Sequence, residues 1–234
     1  MGKFISISDN RGPVPAWLSL PSNPNGRGLV AAMPIWGLNA DLRKWADFMA
    51  DLGYAVIAPN LFWRWASDLA VEYDFSRIEE VADVMGRNTD EQGVEDLYRG
   101  GEELGRLARV DGIGVVGWCY GGRLACLTGI DGRFDSIVAY YPTILETRLD
   151  IAGRLKAPLC LHLPEIEEYA TRSDAIERIA EAFAGQPDVK IFDYPAVKHG
   201  FAFSPPHPNF DAPAARLADV RTALFLQETM ACSQ

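Results

Sequence analysis

The sequence predicts an α/β protein with a mostly parallel central sheet and helices on both faces. Three observations predict it. Apolar runs alternate along the chain with amphipathic stretches at helical spacing, as a doubly wound sheet requires. The runs are short and rich in β-branched residues, like strands buried on both faces; Ile113-Gly114-Val115-Val116 is the clearest. That run passes directly into Gly117-Trp118-Cys119-Tyr120-Gly121-Gly122 and then into helix formers over residues 123–128, so a strand turns sharply into a helix. A chain of 234 residues, 48% hydrophobic and without low-complexity tracts or repeats, suits a single domain over residues 1–234.

Taken in order, residues 16–20 and 28–33 read as strands, separated by a Pro/Asn/Gly turn over 21–26. Residues 41–52 read as a helix, with Leu42, Trp45, Phe48 and Met49 along its apolar face. Residues 54–58 form the next strand, closed by Pro59-Asn60. Residues 61–90 mix aromatics, charges and short helical patterns, and predict an excursion over one end of the sheet. A long amphipathic helix over 90–110 leads into the elbow strand. Further strands follow at 136–140 and 159–163, a helix at 176–183, a last strand at 189–194, and a terminal helix from 212 to about 229.

Composition excludes several function classes. A net charge of −10 argues against nucleic-acid and anionic-membrane partners, which need a basic face. The longest apolar stretch, 29–38, contains Pro34 and Gly37 and is too short to span a bilayer. Cys119, Cys126, Cys160 and Cys232 lack paired spacing, so neither a metal site nor a disulfide framework is expected. The N-terminus has no signal-peptide run, and a cytoplasmic protein is expected. No cofactor is called for. The expected partner is a small molecule, and the chain is expected to act as a monomer or small homo-oligomer.

The elbow carries the chemistry. A strand turning into a helix at Gly-x-nucleophile-x-Gly is the nucleophile elbow of the α/β-hydrolases, and here the nucleophile position holds Cys119. A helix N-terminus lowers a thiol pKa, and the Tyr120 backbone N–H supplies half of an oxyanion hole. The plain alternative is a buried structural cysteine. The fold orders its partners nucleophile, acid, histidine. His199 follows the last strand, where the histidine belongs; His162 sits among leucines in a strand and reads as a satisfied core residue; His207 lies in a Pro-rich stretch that reads as surface loop. The acid is expected after the 159–163 strand, where Glu165, Glu167 and Glu168 are all available. The second oxyanion donor is expected after the 28–33 strand. Pro34 has no N–H, which leaves Ile35.

With these pieces in place the chain resembles the dienelactone hydrolase family, the carboxymethylenebutenolidases. The resemblance rests on Ile35-Trp36-Gly37-Leu38-Asn39, Ala58-Pro59-Asn60-Leu61-Phe62, the elbow, Tyr140-Tyr141-Pro142, His199-Gly200-Phe201-Ala202-Phe203 and Arg221-Thr222-Ala223-Leu224-Phe225-Leu226. It implies a cysteine hydrolase that opens an enol-lactone or cleaves an activated ester through an acyl-cysteine, within aromatic degradation. It places the acid at Glu167, with Glu168 one residue away. A thioesterase or aryl esterase with the same residues, or a non-catalytic binding relative, are the alternatives. It further implies substrate-binding roles for Trp36, Arg77, Phe201 and Phe203. The family glutamate that holds the resting thiol matches Pro34, and a carboxylate-binding arginine matches Phe203. Replacing a bidentate donor by a phenyl ring predicts a less charged or more aromatic substrate. Phe62, Trp63 and Trp65 are further candidate lining aromatics.

Overall fold

The computed structural model describes residues 1–230; residues 231–234, with Cys232, lie outside the described residues. Eight strands make one sheet: β1 (Lys3–Ile7), β2 (Val14–Ser19), β3 (Arg27–Ala32), β4 (Ala55–Pro59), β5 (Gly112–Trp118), β6 (Ser136–Tyr140), β7 (Leu159–Ile166) and β8 (Val189–Lys198). Their spatial order is β1-β2-β4-β3-β5-β6-β7-β8. β2 runs antiparallel to both β1 and β4, and the remaining pairs are parallel. All five residues of β4 and of β6 are buried, so both faces of the central sheet are covered.

The cover is helical: α1 (Ala40–Asp51), α2 (Ile78–Arg87), α3 (Asp90–Leu107), α4 (Tyr120–Thr128), α5 (Ala175–Phe183) and α6 (Ala212–Thr229). Their starts are set by side chains. Asn39 accepts from the Leu42 N–H at the head of α1, Thr89 and Gln92 form a reciprocal capping box on α3, and Asp211 caps α6 ahead of Pro213.

The differences from expectation have local causes. β1 was not expected; its side chains are largely exposed, so the strand is held by pairing with β2 rather than by a hydrophobic pattern. α1 buries Leu42, Ala46, Met49 and Ala50, and Phe48 is exposed. The buried set follows 42, 46 and 49, and Phe48 falls off that stripe. β7 and β8 outrun their expected ends at 163 and 194. Pro164 and Pro195 lie just past those ends, yet the pair continues beyond a register shift to Ile166 and Lys198. β8 is an edge strand, where a missing N–H is tolerated.

The chain leaves β3 towards β4 on one side and returns through α3 to β5 on the other. The crevice at the carboxyl ends of β3 and β5 is therefore the topological switch point, where ligands bind in open α/β sheets. Residues 61–90 pass over that end: Gly37 bridges Ala70, Val71 N–H bonds the Trp36 carbonyl, and α2 follows a short 3-10 turn at Phe75–Arg77. Among the described residues no helix is long and apolar enough to cross a membrane.

Candidate active site

Cys119 sits between β5 and α4 with φ 56° and ψ −120°, a left-handed backbone that a non-glycine residue adopts only under constraint. The constraint is packing. A Cβ on Gly121 would lie 2.1 Å from the Ala32 carbonyl oxygen, and one on Gly117 would lie 2.3 Å from that of Gly121. The elbow is thus wedged against β3, and the sulfur is held at the head of α4.

The other side chains arrive from the neighbouring carboxyl ends. Glu167 and His199 stand immediately beyond the extended β7–β8 pair, tied by a bond from the His199 N–H to the Ile166 carbonyl. His199 Nδ1 lies 2.7 Å from Glu167 Oε2, and Glu167 Oε1 accepts the Tyr169 N–H. Both carboxylate oxygens are occupied, which fixes the Nδ1–H tautomer and turns Nε2 away. Nε2 is buried, makes no hydrogen bond of good geometry, and faces the Cys119 sulfur as its electrostatic partner. The rings of Tyr141 and Tyr169 pack on the imidazole, each at 4.8 Å between centroids. The other two glutamates are engaged elsewhere. Glu168 binds Lys198 and Asn209, and Glu165 accepts the Ala196 N–H.

The electrostatics follow from this contact. Burial alone pushes the Cys119 thiol up, but the His199 charge, the Thr143 hydroxyl and the Tyr120 N–H outweigh it and hold the thiol below its usual value. Burial alone would lower His199; the Cys119 and Glu167 charges outweigh it and raise it. The two shifts act in one direction, Cys119 towards thiolate and His199 towards imidazolium. Cys126 and Cys160 are raised by burial, Cys160 to about 12. With iodoacetamide at neutral pH, Cys119 should therefore be alkylated at least about tenfold faster than Cys126 or Cys160. The pH profile of its alkylation should lie below that of an ordinary thiol, because the thiolate is lost only as pH falls through the lowered pKa. Peptide mapping by mass spectrometry reads both, and equal labelling of the three would refute the ion pair.

The cavity above the sulfur has a volume of about 260 Å³ and is mostly apolar. Ile35 and Trp36 line it from the β3 loop, Ile78, Ala82 and Met85 from α2, and Phe203 and His207 from the last loop. Several expected residues are elsewhere. Phe201 is fully buried against Tyr141 and Tyr194, and does not line the cavity. Arg77 is exposed and paired with Glu80, because the 3-10 turn points it along α2 rather than inwards. Phe62 stacks on Tyr120, Trp63 bonds Asp96, and Trp65 is exposed. His162 is a satisfied core residue, bonded to Tyr194 and Thr222 and held at about 3 by burial.

His207 corrects the surface-loop reading. It is 3% exposed, with its ring packed on Tyr73, Phe75 and Phe203 and Nδ1 accepting the Asn209 N–H. Its flanking prolines suggested a loop but said nothing about burial. Thr143 is the other residue the sequence did not disclose. Its hydroxyl donates to the Cys119 sulfur at 3.0 Å, and its N–H bonds the Cys119 carbonyl. With Pro34 unable to touch the thiol as a carboxylate would, Thr143 is the side chain that holds the sulfur. A Thr143→Val variant should lose about 3- to 30-fold in kcat with KM little changed, and should shift the pH profile of Cys119 alkylation upwards. Unaltered alkylation would remove Thr143 from this role.

The fold and this site define the class, an α/β-hydrolase. The model of the dienelactone hydrolase family matches residues 14–230. The carboxymethylenebutenolidase of Pseudomonas putida is 31% identical over 217 residues, 90% of this chain and 89% of its own length. Carboxymethylenebutenolidase 1 of Cupriavidus pinatubonensis is 29% identical over 213 residues, 90% of each chain. In fold, a dienelactone hydrolase-like promiscuous phosphotriesterase from metagenomic libraries superposes with a TM-score of 0.78 at 17% identity, covering 99% of each chain. The chain belongs to the dienelactone hydrolase family, and is a hydrolase of that family.

Proposed function

We propose that the protein is a cysteine hydrolase that opens a lactone or cleaves an activated ester through an acyl-cysteine, with Cys119 as nucleophile, His199 as base and acid, and Glu167 as the carboxylate that orients it. The observation that carries this reading is the Cys119 sulfur on a constrained elbow, facing a histidine whose other nitrogen is 2.7 Å from a buried carboxylate. The thiolate attacks the carbonyl carbon, and the oxyanion is received by the backbone N–H groups of Tyr120 and Ile35. Collapse breaks the acyl C–O bond, and the imidazolium gives its proton to the departing oxygen. Neutral His199 then takes a proton from water, whose hydroxide attacks the thioester carbonyl. The thiolate leaves, and the acid product forms.

The cavity argues for an uncharged or aryl acyl group. Its lining is mostly apolar, Arg77 is turned away, and Phe203 stands where the resemblance places a carboxylate-binding arginine. A carboxylate-bearing dienelactone would meet no guanidinium among the described lining residues. The test is mass spectrometry of the purified protein after brief exposure to a dienelactone and, separately, to a p-nitrophenyl ester, with product release followed in parallel. The expected result is an acyl adduct on Cys119 from both and faster turnover of the neutral ester. Neither adduct nor turnover would sink the reading in favour of a non-catalytic binding relative.

A further inference from the structure

Phe203 is also a wall of a second cavity, of about 250 Å³, on the α1 side of the site. Its chemistry is unlike that of the first. Three buried oxygens in its lining make no hydrogen bond of good geometry: Asp41 Oδ2, the Tyr73 hydroxyl, which lies beside Asp41 and Asn39, and Ser204 Oγ. Tyr73 is 7% exposed, so its hydroxyl has no recourse to bulk water. Burial and the neighbouring Asp41 charge raise its pKa, which keeps the hydroxyl neutral. Buried oxygens whose accepting capacity is incompletely used cost free energy that a bound donor would recover. Asp219, which accepts the Tyr140 hydroxyl, also lines this cavity. The indoles of Trp45 and Trp118 complete the walls, packed edge to face at 4.7 Å.

We propose that this cavity is a binding site for a primary organic ammonium ion, whose three N–H groups meet Asp41, Tyr73 and Ser204 and whose carbon chain lies against Trp45, Trp118 and Phe203. The match is one of number and sign. An ammonium has three donors and no acceptor, and each of the three oxygens has a lone pair to accept with, the Tyr73 hydroxyl also while it points its proton at Asp41. Two carboxylates supply negative charge, and the indole and phenyl faces attract a cation. A net charge of −10 on the chain favours the approach of cations. Lys44 does not fill this role. Its ammonium sits 3.7 Å from the other Asp41 oxygen, Oδ1, on a side chain 77% exposed. A neutral polyol would satisfy the hydroxyls but would leave the charge of Asp41 unused.

The experiment is isothermal titration of the full chain with benzylammonium at neutral pH, beside its neutral counterpart benzyl alcohol. Each is repeated after the Cys119 site is blocked with a bulky maleimide. Benzylammonium is expected to bind, blocked or not, at least about tenfold more tightly than the alcohol. Asp41→Asn should weaken the ammonium by at least about tenfold without changing the alkylation rate of Cys119, and Ser204→Ala should weaken it by less. The Ser204→Ala variant keeps the test open if Asp41→Asn proves unstable. Equal binding of the alcohol, loss of binding on blocking Cys119, or no heat at millimolar ligand would each overturn the proposal.

Discussion

Cys119→Ala and His199→Ala should each lower kcat/KM by at least about 10³-fold on any ester the protein turns over. The two residues act as one unit. In the proposed mechanism His199 favours the thiolate of Cys119, and Glu167, at 2.7 Å from Nδ1, holds His199 in register. Once the sulfur is gone, the histidine has nothing to activate in the first half-reaction. The double variant should therefore be no worse than the worse of the two singles, since groups acting together are strongly non-additive. Circular dichroism should find all three folded. Either single variant keeping more than about a tenth of the activity would remove that residue from the mechanism.

The second large effect is on folding. Gly121→Ala should give little soluble protein or a Tm lowered by roughly 6–12 °C, from an overpacking cost of about 3 kcal/mol. The added Cβ would lie 2.1 Å from the Ala32 oxygen and 2.6 Å from that of Met33, both backbone atoms of the central sheet and its following loop. Neither can move without parting β3 from β5. Gly86→Ala is the control: nothing lies within 4 Å of its added Cβ on exposed α2, and about 0.5–1 kcal/mol of stabilisation is expected. Thermal melts of the two compare packing directly. Equal Tm values would mean the elbow is not wedged.

What the sequence disclosed follows from how local each signal is. The elbow was legible because strand, tight turn and helix occupy consecutive residues, and each demands particular side chains. His199 and Glu167 were reachable because the order of elements restricts them to two loops. The residues alone left three glutamates open and only the family resemblance pointed to Glu167, because the choice depends on the β7–β8 register and the register shift near Pro164 leaves no trace in hydropathy. Thr143 and His207 were hidden for the opposite reason. Both reach the site from irregular segments without periodicity, and their burial depends on residues distant in the chain. Arg77 and Phe201 fit a motif by position, but the direction of a side chain from a 3-10 turn or a tight loop is a tertiary outcome.

The extended β7–β8 pair carries acid and base on one ribbon at the sheet edge, while the sulfur rides on the central strand β5. In the proposed mechanism, proton handling and bond-making therefore belong to mechanically separate modules. A change in the tilt of the ribbon re-aims Nε2 at the sulfur and leaves the Glu167–His199 bond intact. Substitutions in the outer strands can retune the angle at which the base meets its target while the nucleophile stays fixed. Under that mechanism, a lineage built on this frame could change the leaving group it protonates without rebuilding its elbow.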